Sequence, residues 1–181
     1  RLKSTKEVME KLFLGLISDT NRFMFSNSSA STFKVVAKIM KEYQLDLPTL
    51  YSLLYMRPLH EVRLQGYMAQ NMKVTENGVG YIKITEDVLN QYQADVASAG
   101  NMINNFNYID EVLVWLAVTE DKKNDIINIR SRGPVINTIA ERYNGGGHKL
   151  ASGAKVSTMD EVDCLIDDLD NACLNYINNQ D

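Results

Sequence analysis

Three consecutive glycines followed by a histidine, Gly145-Gly146-Gly147-His148, are the residues whose types and spacing point most clearly to chemistry. The chain has only ten glycines, and glycine loses the most backbone entropy on folding. A run of three is expected where φ must be positive or where backbone must approach a ligand closely. Successive amides in such a loop can form an anion-binding concavity. A helix after the loop would add its N-terminal dipole. His148 follows directly and can donate a hydrogen bond to a phosphate oxygen. Upstream, Arg130-Ser131-Arg132-Gly133 places two guanidinium forks, each matched to phosphate oxygens, around a hydroxyl. Asn137 can bond a ligand or cap a helix. The plainer alternatives are a flexible turn for the glycines and a solvated strand end for the arginines.

These groups need elements to hold them, and the hydrophobic pattern supplies two blocks. Ser4 and Glu7 have the spacing of a capping box. Val8, Leu12, Leu14, Leu16 and Ile17 then give a strongly apolar helix that ends in the polar segment Ser18–Phe23. Phe25 to Ser31 reads as a loop in which Ser29 or Ser31 caps a helix running to about Tyr43. Pro48 suits the first turn of a third helix, with Leu50, Leu53 and Leu54 as its buried face, and Pro58 breaks it. A further helix is expected over Leu59–Asn71.

After that helix the period changes. Met72–Thr75, Asn77-Gly78 and Val79–Ile84 read as a β-hairpin, because Asn-Gly is a strong turn signal. Thr85 caps a short helix, and Asp95–Phe106 is another. Glu111–Thr119 is an expected central strand and Asp125–Arg130 its partner, across a turn at Asp121–Asn124. A helix over Pro134–Tyr143, a loop at Asn144–Gly147 and a strand over Ser152–Ser157 follow. Thr158-Met159-Asp160-Glu161 is a second capping box. It opens a last helix striped by Val162, Leu165, Ile166, Leu169, Cys173 and Tyr176. The fold class is α+β, with a helical block at 1–56, a linker helix at 57–71 and a mixed-sheet domain flanked by helices at 72–181.

Composition narrows the partners. The 181 residues are 45% hydrophobic and 23% charged, which suits a folded globular protein. The balance of 19 basic and 23 acidic side chains, net −4, argues against holding long nucleic acid by charge alone. A small ligand or a local basic patch is the alternative. The two cysteines, Cys164 and Cys173, lie about 13 Å apart along one helix, too far for a disulfide. No apolar run approaches the roughly 18 residues of a membrane span, and no signal-peptide pattern is present. A cytoplasmic protein with no membrane partner is expected. Because the chain begins at Arg1, a fragment of a longer protein is expected as well.

Three ordered runs carry a family resemblance. Gly133-Pro134-Val135-Ile136-Asn137, Tyr143-Asn144-Gly145-Gly146-Gly147-His148 and Ala151-Ser152-Gly153-Ala154 resemble the signature of the C-terminal substrate-binding domain of DHH-family phosphoesterases. They are most similar to the bacterial nano-RNase and pAp phosphatase branch. Gly15-Leu16-Ile17-Ser18-Asp19-Thr20-Asn21-Arg22-Phe23 resembles the last metal-binding motif of the family's catalytic domain. Asn21 stands where the family commonly has glycine, a mild departure because asparagine tolerates positive φ.

The resemblance implies a parent enzyme that uses two metal ions, usually manganese (Mn2+), to polarise phosphate and generate a hydroxide nucleophile. It implies that Asp19 is a catalytic metal ligand of that parent. It also implies that Arg130, Ser131, Arg132, Asn137, Gly145, Gly146, Gly147, His148 and Ser152 grip the substrate. The family's Asp-His-His motif is not in this sequence, whose only histidines are His60 and His148, and no segment matches its catalytic Asp-x-Asp and second-aspartate motifs in their family order. One carboxylate cannot hold two metals, so this chain is expected to bind nucleotide and to be inactive alone. His60 matches no motif and reads as structural. Arg22 could face a phosphate or pair with a carboxylate.

The implied substrates are short oligoribonucleotides and 3′-phosphoadenosine 5′-phosphate (pAp), and a homodimer is allowed. Two readings compete with this one. The first is a cyclic dinucleotide phosphodiesterase or RecJ-like single-strand exonuclease of the same superfamily. The second is a non-catalytic nucleotide-binding module.

Overall fold

A computed structural model describes residues 5–24, 28–122 and 124–180. The chain divides into two compact units, Arg1–Arg57 and Pro58–Asp181. The Ser4 capping box lies outside the described residues; the cap seen on α1 (Lys6–Asp19) is Thr5, whose side chain accepts from the Val8 N–H.

The first unit is helical. Of the two candidate serines, Ser29 caps α2 (Ala30–Tyr43), in a reciprocal box with Thr32. The helix ends at Gln44 in the left-handed conformation. Asp46 caps α3 (Leu47–Tyr55), which carries Pro48 in its first turn. Phe13, Ile17, Val36 and Leu50 form the core. Leu53 departs from expectation, being 70% exposed. Leu47, Leu50, Tyr51 and Leu54 pack on that core. They share one side of the short helix, and at 100° per residue Leu53 falls outside their arc.

The second unit is a mixed six-stranded sheet covered by helices, so the α+β class holds. Helix α4 (Leu59–Asn71) has the expected bounds. It packs within this unit, with Leu64 and Met68 fully buried, rather than lying between two bodies as a linker. The hairpin forms as β1 (Lys73–Val74) and β2 (Val79–Ile84). Thr85 caps α5 (Glu86–Gln91). The Asp95–Phe106 segment is α6 (Val96–Met102) followed by a 3-10 turn at Ile103–Phe106. Strand β3 (Val114–Thr119) runs parallel to β2 and antiparallel to β4 (Asp125–Ser131).

The helix expected over Pro134–Tyr143 shortens to α7 (Asn137–Arg142). The preceding backbone is engaged elsewhere: the Ser131 hydroxyl donates to the Pro134 carbonyl, and the Ile136 N–H donates to the Lys149 carbonyl. Strand β6 (Ala151–Val156) and α8 (Met159–Asn178) complete the unit, with the Thr158–Glu161 capping box formed as expected. Such a cap is worth about 1 kcal/mol. Cys164 and Cys173 on α8 are both free thiols, the first exposed and the second buried.

Alternation on the strands sorts the two cores. Leu116, Ile127, Ile129 and Ala154 face α7 and α8. Trp115 and Ala117 face α4, α6 and the 3-10 turn, where the Trp115 Nε1 donates to the Ile103 carbonyl at 2.7 Å.

The glycine segment is not a free loop. Gly146–His148 forms β5, the edge strand paired with β6, giving the sheet order β1-β2-β3-β4-β6-β5. No helix follows it: the turn Lys149-Leu150 leads into β6, so the expected N-terminal dipole of a following helix is not there. A side chain at Gly145 would overlap the Gly153 carbonyl, and one at Gly147 would meet the Ala151 carbonyl oxygen at 2.7 Å. Gly146 and Gly147 have φ of +153° and +141°, where other residues are strained. Gly145→Ala is therefore expected to destabilise the second unit by roughly 2 kcal/mol, as overpacking does. Gly146→Ala, whose added carbon would meet only Glu141 Cγ at an ordinary 3.9 Å, should cost only about 1 kcal/mol of backbone strain. Urea unfolding followed at Trp115, the single tryptophan, checks both. A Gly145→Ala protein as stable as the unaltered chain would contradict this packing.

Candidate functional site

The strand register assembles the site. Trp115 pairs with Arg130, Arg130 with Ala151, and Ala151 with His148, one row across four strands. The next row on the same face is Ala117, Asn128, Gly153 and Gly146. Paired residues point to one side of a sheet, and Trp115 fixes that side as the face opposite α7 and α8. On it, α6 and the 3-10 turn pack over β3 and β4. Beyond them Ala151, Gly153 and Gly146 are partly exposed and His148 is exposed. The result is a shallow platform floored by residues with little or no side chain. Arg130 stands on one side of it and His148 on the other.

Arg130 is half-buried and held in place. Its Nε donates to Asn104 Oδ1 at 2.9 Å, and one terminal nitrogen donates to the Ile129 carbonyl at 2.9 Å. The second terminal nitrogen has no partner among the described residues. Burial lowers the guanidinium's pKa from its ordinary value, yet such a group stays cationic at any physiological pH. A fixed, partly desolvated cation beside a platform of close-approach backbone can bind an anion with little reorganisation.

The other expected residues are placed differently. Ser131 is buried; its hydroxyl donates to the Pro134 carbonyl at 2.7 Å and accepts from the Gly133 N–H. Arg132 clasps the 107–112 segment, with its guanidinium donating to the carbonyls of Asn107, Ile109, Asp110 and Val112. Ser152 is buried and donates to the His148 carbonyl at 2.9 Å, pinning the turn between β5 and β6. In this structure these three side chains build the backbone around the platform. Asn137 is at the start of α7, and its Oδ1 is buried without a hydrogen-bond partner. An unpaired buried acceptor is uncommon, and it invites a donor such as water.

Sequence reasoning passed over the support for the glycine strand. Tyr143 donates from its hydroxyl to Asp168 Oδ2 on α8 at 2.6 Å, and Arg142 holds the same oxygen at 3.1 Å. Burial, and then the Asp168 bond, push the Tyr143 pKa up, so the phenol remains the donor. Asn104 and Asn128 were also missed. Period-two alternation through β4 could have marked Asn128, since it shares a face with Arg130.

In the first unit, Asp19 is exposed at the end of α1. The turn after it is unusual: Asn21, Arg22 and Phe23 all have positive φ, of 45°, 61° and 66°. Non-glycine residues enter this region singly as a rule, at about 1–2 kcal/mol each. Thr20 holds the turn, being buried and bonded through its hydroxyl to the Leu16 carbonyl and the Phe23 N–H. Arg22 pairs with no carboxylate among the described residues; its guanidinium lies 5.3 Å from the centre of the Tyr55 ring. Among the described residues no three histidine, cysteine, aspartate or glutamate side chains come together to hold a metal ion. Among them, too, no helix is long and apolar enough to cross a membrane.

Residues 78–175 match the DHHA1 domain family. The chain is 33% identical over 171 residues to the bifunctional oligoribonuclease and PAP phosphatase NrnA of Bacillus subtilis (strain 168), covering 94% of this chain and 54% of that protein. It is 28% identical over 172 residues to the probable enzyme of the same name from Streptococcus mutans, covering 94% of this chain and 55% of that one. It thus spans about half the length of these relatives. An exopolyphosphatase-related protein from Bacteroides fragilis has a similar structure, with a TM-score of 0.83 and 25% identity over 95% of this chain and 51% of that one. The chain therefore belongs to the DHHA1-domain family.

Proposed function

We propose that this chain is the nucleotide-gripping part of a phosphoesterase that hydrolyses short oligoribonucleotides and pAp. The observation that carries the reading is the cross-strand row of Arg130, Ala151 and His148 beside Gly146 and Gly153, on the face of β6 and β5 that α7 and α8 do not cover. A terminal phosphate on this platform meets the free edge of the Arg130 guanidinium and the His148 imidazole. The rest of the nucleotide lies close to backbone because no side chain intervenes at Gly146 or Gly153. In this reading Arg130, Gly146, Gly147 and His148 touch the ligand, and Asn137, on α7 behind the sheet, does not reach it. Ser131, Arg132, Gly145 and Ser152 hold them in place. The names of the relatives supply the substrate class.

The chemical step belongs to the whole enzyme. A two-metal site in that enzyme, with manganese bound, would supply polarisation of the phosphate and activation of water. Asp19 is the one ligand proposed from this chain, and the described residues form no metal cluster around it. The chain's own work is to bind and orient the substrate. The free thiols of Cys164 and Cys173 fit a reducing compartment such as the cytoplasm.

Two measurements test this reading. Purified chain with manganese and pAp or a diadenylate is expected to show little or no hydrolysis; robust turnover would contradict the division of labour. In calorimetry, pAp is expected to bind the unaltered chain. Arg130→Ala and His148→Ala should each weaken that binding roughly tenfold to a hundredfold, the worth of a charge-assisted hydrogen bond. Equal binding by both variants would remove the site assignment.

A further inference from the structure

The platform extends along β6 past the row that holds Arg130 and His148. Lys155 pairs with Ile126, two residues from Asn128 and four from Arg130 on β4. It therefore projects on the same face as Arg130, Gly153 and Ala151. The Lys155 side chain is exposed and makes no ion pair among the described residues. Its carbonyl accepts from Asn144 Nδ2 and its N–H donates to the Tyr143 carbonyl, so the backbone beneath it is tied to the entrance of the glycine strand.

An exposed lysine on a sheet face is ordinarily a solubility device. Its setting here is different. Between Lys155 and Arg130 the floor of the strip is Gly153 and Ala151, flanked by Gly146 and the Asn128 amide. Nothing stands on that strip higher than a methyl group. Four residues of strand separate the two cationic rows by about 13 Å. The Arg130 guanidinium is tied down by Asn104 and the Ile129 carbonyl. Two cations so spaced, across a floor without side chains, serve two phosphates of one ligand better than two oxygens of a single phosphate.

We infer that Lys155 takes a second, internal phosphate of an oligonucleotide laid along β6, so that the platform reads ligand length. This rests on the proposed nucleotide site and adds a residue and a direction to it. The chain runs from the terminal phosphate at Arg130 and His148 toward Lys155. A ligand with one phosphate engages only the first row, and a longer one engages both.

The test compares adenosine 5′-monophosphate with a 5′-phosphorylated triadenylate, titrated into the unaltered chain and into Lys155→Gln and Lys155→Arg. The unaltered chain is expected to prefer the triadenylate. Lys155→Gln should weaken the triadenylate about fivefold and lower its salt slope by nearly one counterion, while the monophosphate stays within about twofold. Lys155→Arg should restore the long ligand. Equal losses on the two probes, or no loss on either, would overturn the role of Lys155 while leaving the nucleotide site standing. An unaltered chain that bound neither probe would overturn the site and the inference together.

Discussion

The close approach of the glycine strand to β6 is the constraint on which the rest of the site depends. Gly145 and Gly147 lie so near the carbonyls of Gly153 and Ala151 that no side chain fits at either position. That contact closes the sheet edge and sets the register that brings His148 level with Ala151 and Arg130. It also makes a surface where backbone, not side chains, meets solvent. An extended edge of glycines is costly in entropy, and several supports offset that cost. They are the Gly145 N–H on the Ala140 carbonyl, the Tyr143–Asp168 bond to α8 and the Ser152 hydroxyl on the His148 carbonyl.

Electrostatics follow from the same arrangement. The chain as a whole carries −4, which disfavours broad attraction to polyanions. The platform concentrates Arg130, His148 and Lys155 on one strip with little competing side-chain bulk. A protein built this way discriminates by local contact, which suits a short ligand better than a long polymer. Holding Arg130 through Asn104 and a carbonyl also removes much of the side-chain entropy that binding would otherwise have to overcome.

Local signals were legible in the sequence. Ser29, Thr85 and the Thr158–Glu161 box each act within one helical turn, so reading them needs nothing distant. The same holds for the Asn-Gly hairpin and the bounds of α4. The Gly146–His148 strand was not legible, because a run of glycines has no polar and apolar alternation to betray extended backbone. The short α7 was hidden for another reason: its start depends on Ser131 and on the Lys149 carbonyl, both outside the helix. Leu53 looked buried because its type and rough spacing fit, whereas the arc set by Leu47, Leu50 and Leu54 excludes it. At the candidate site the residue types could be read but their partners could not. Arg132 and Ser152 have the chemistry of anion binders, and only the fold shows their donors already directed at carbonyls.

Chemical-shift mapping of the chain titrated with pAp measures the central claim most directly. The account predicts that the largest amide shifts fall on Gly146, Gly147, His148, Ala151 and Gly153, with the Arg130 side chain moving alongside them. Shifts centred elsewhere, for example around α5 and residues 120–122, with the β5 and β6 amides unmoved, would contradict it.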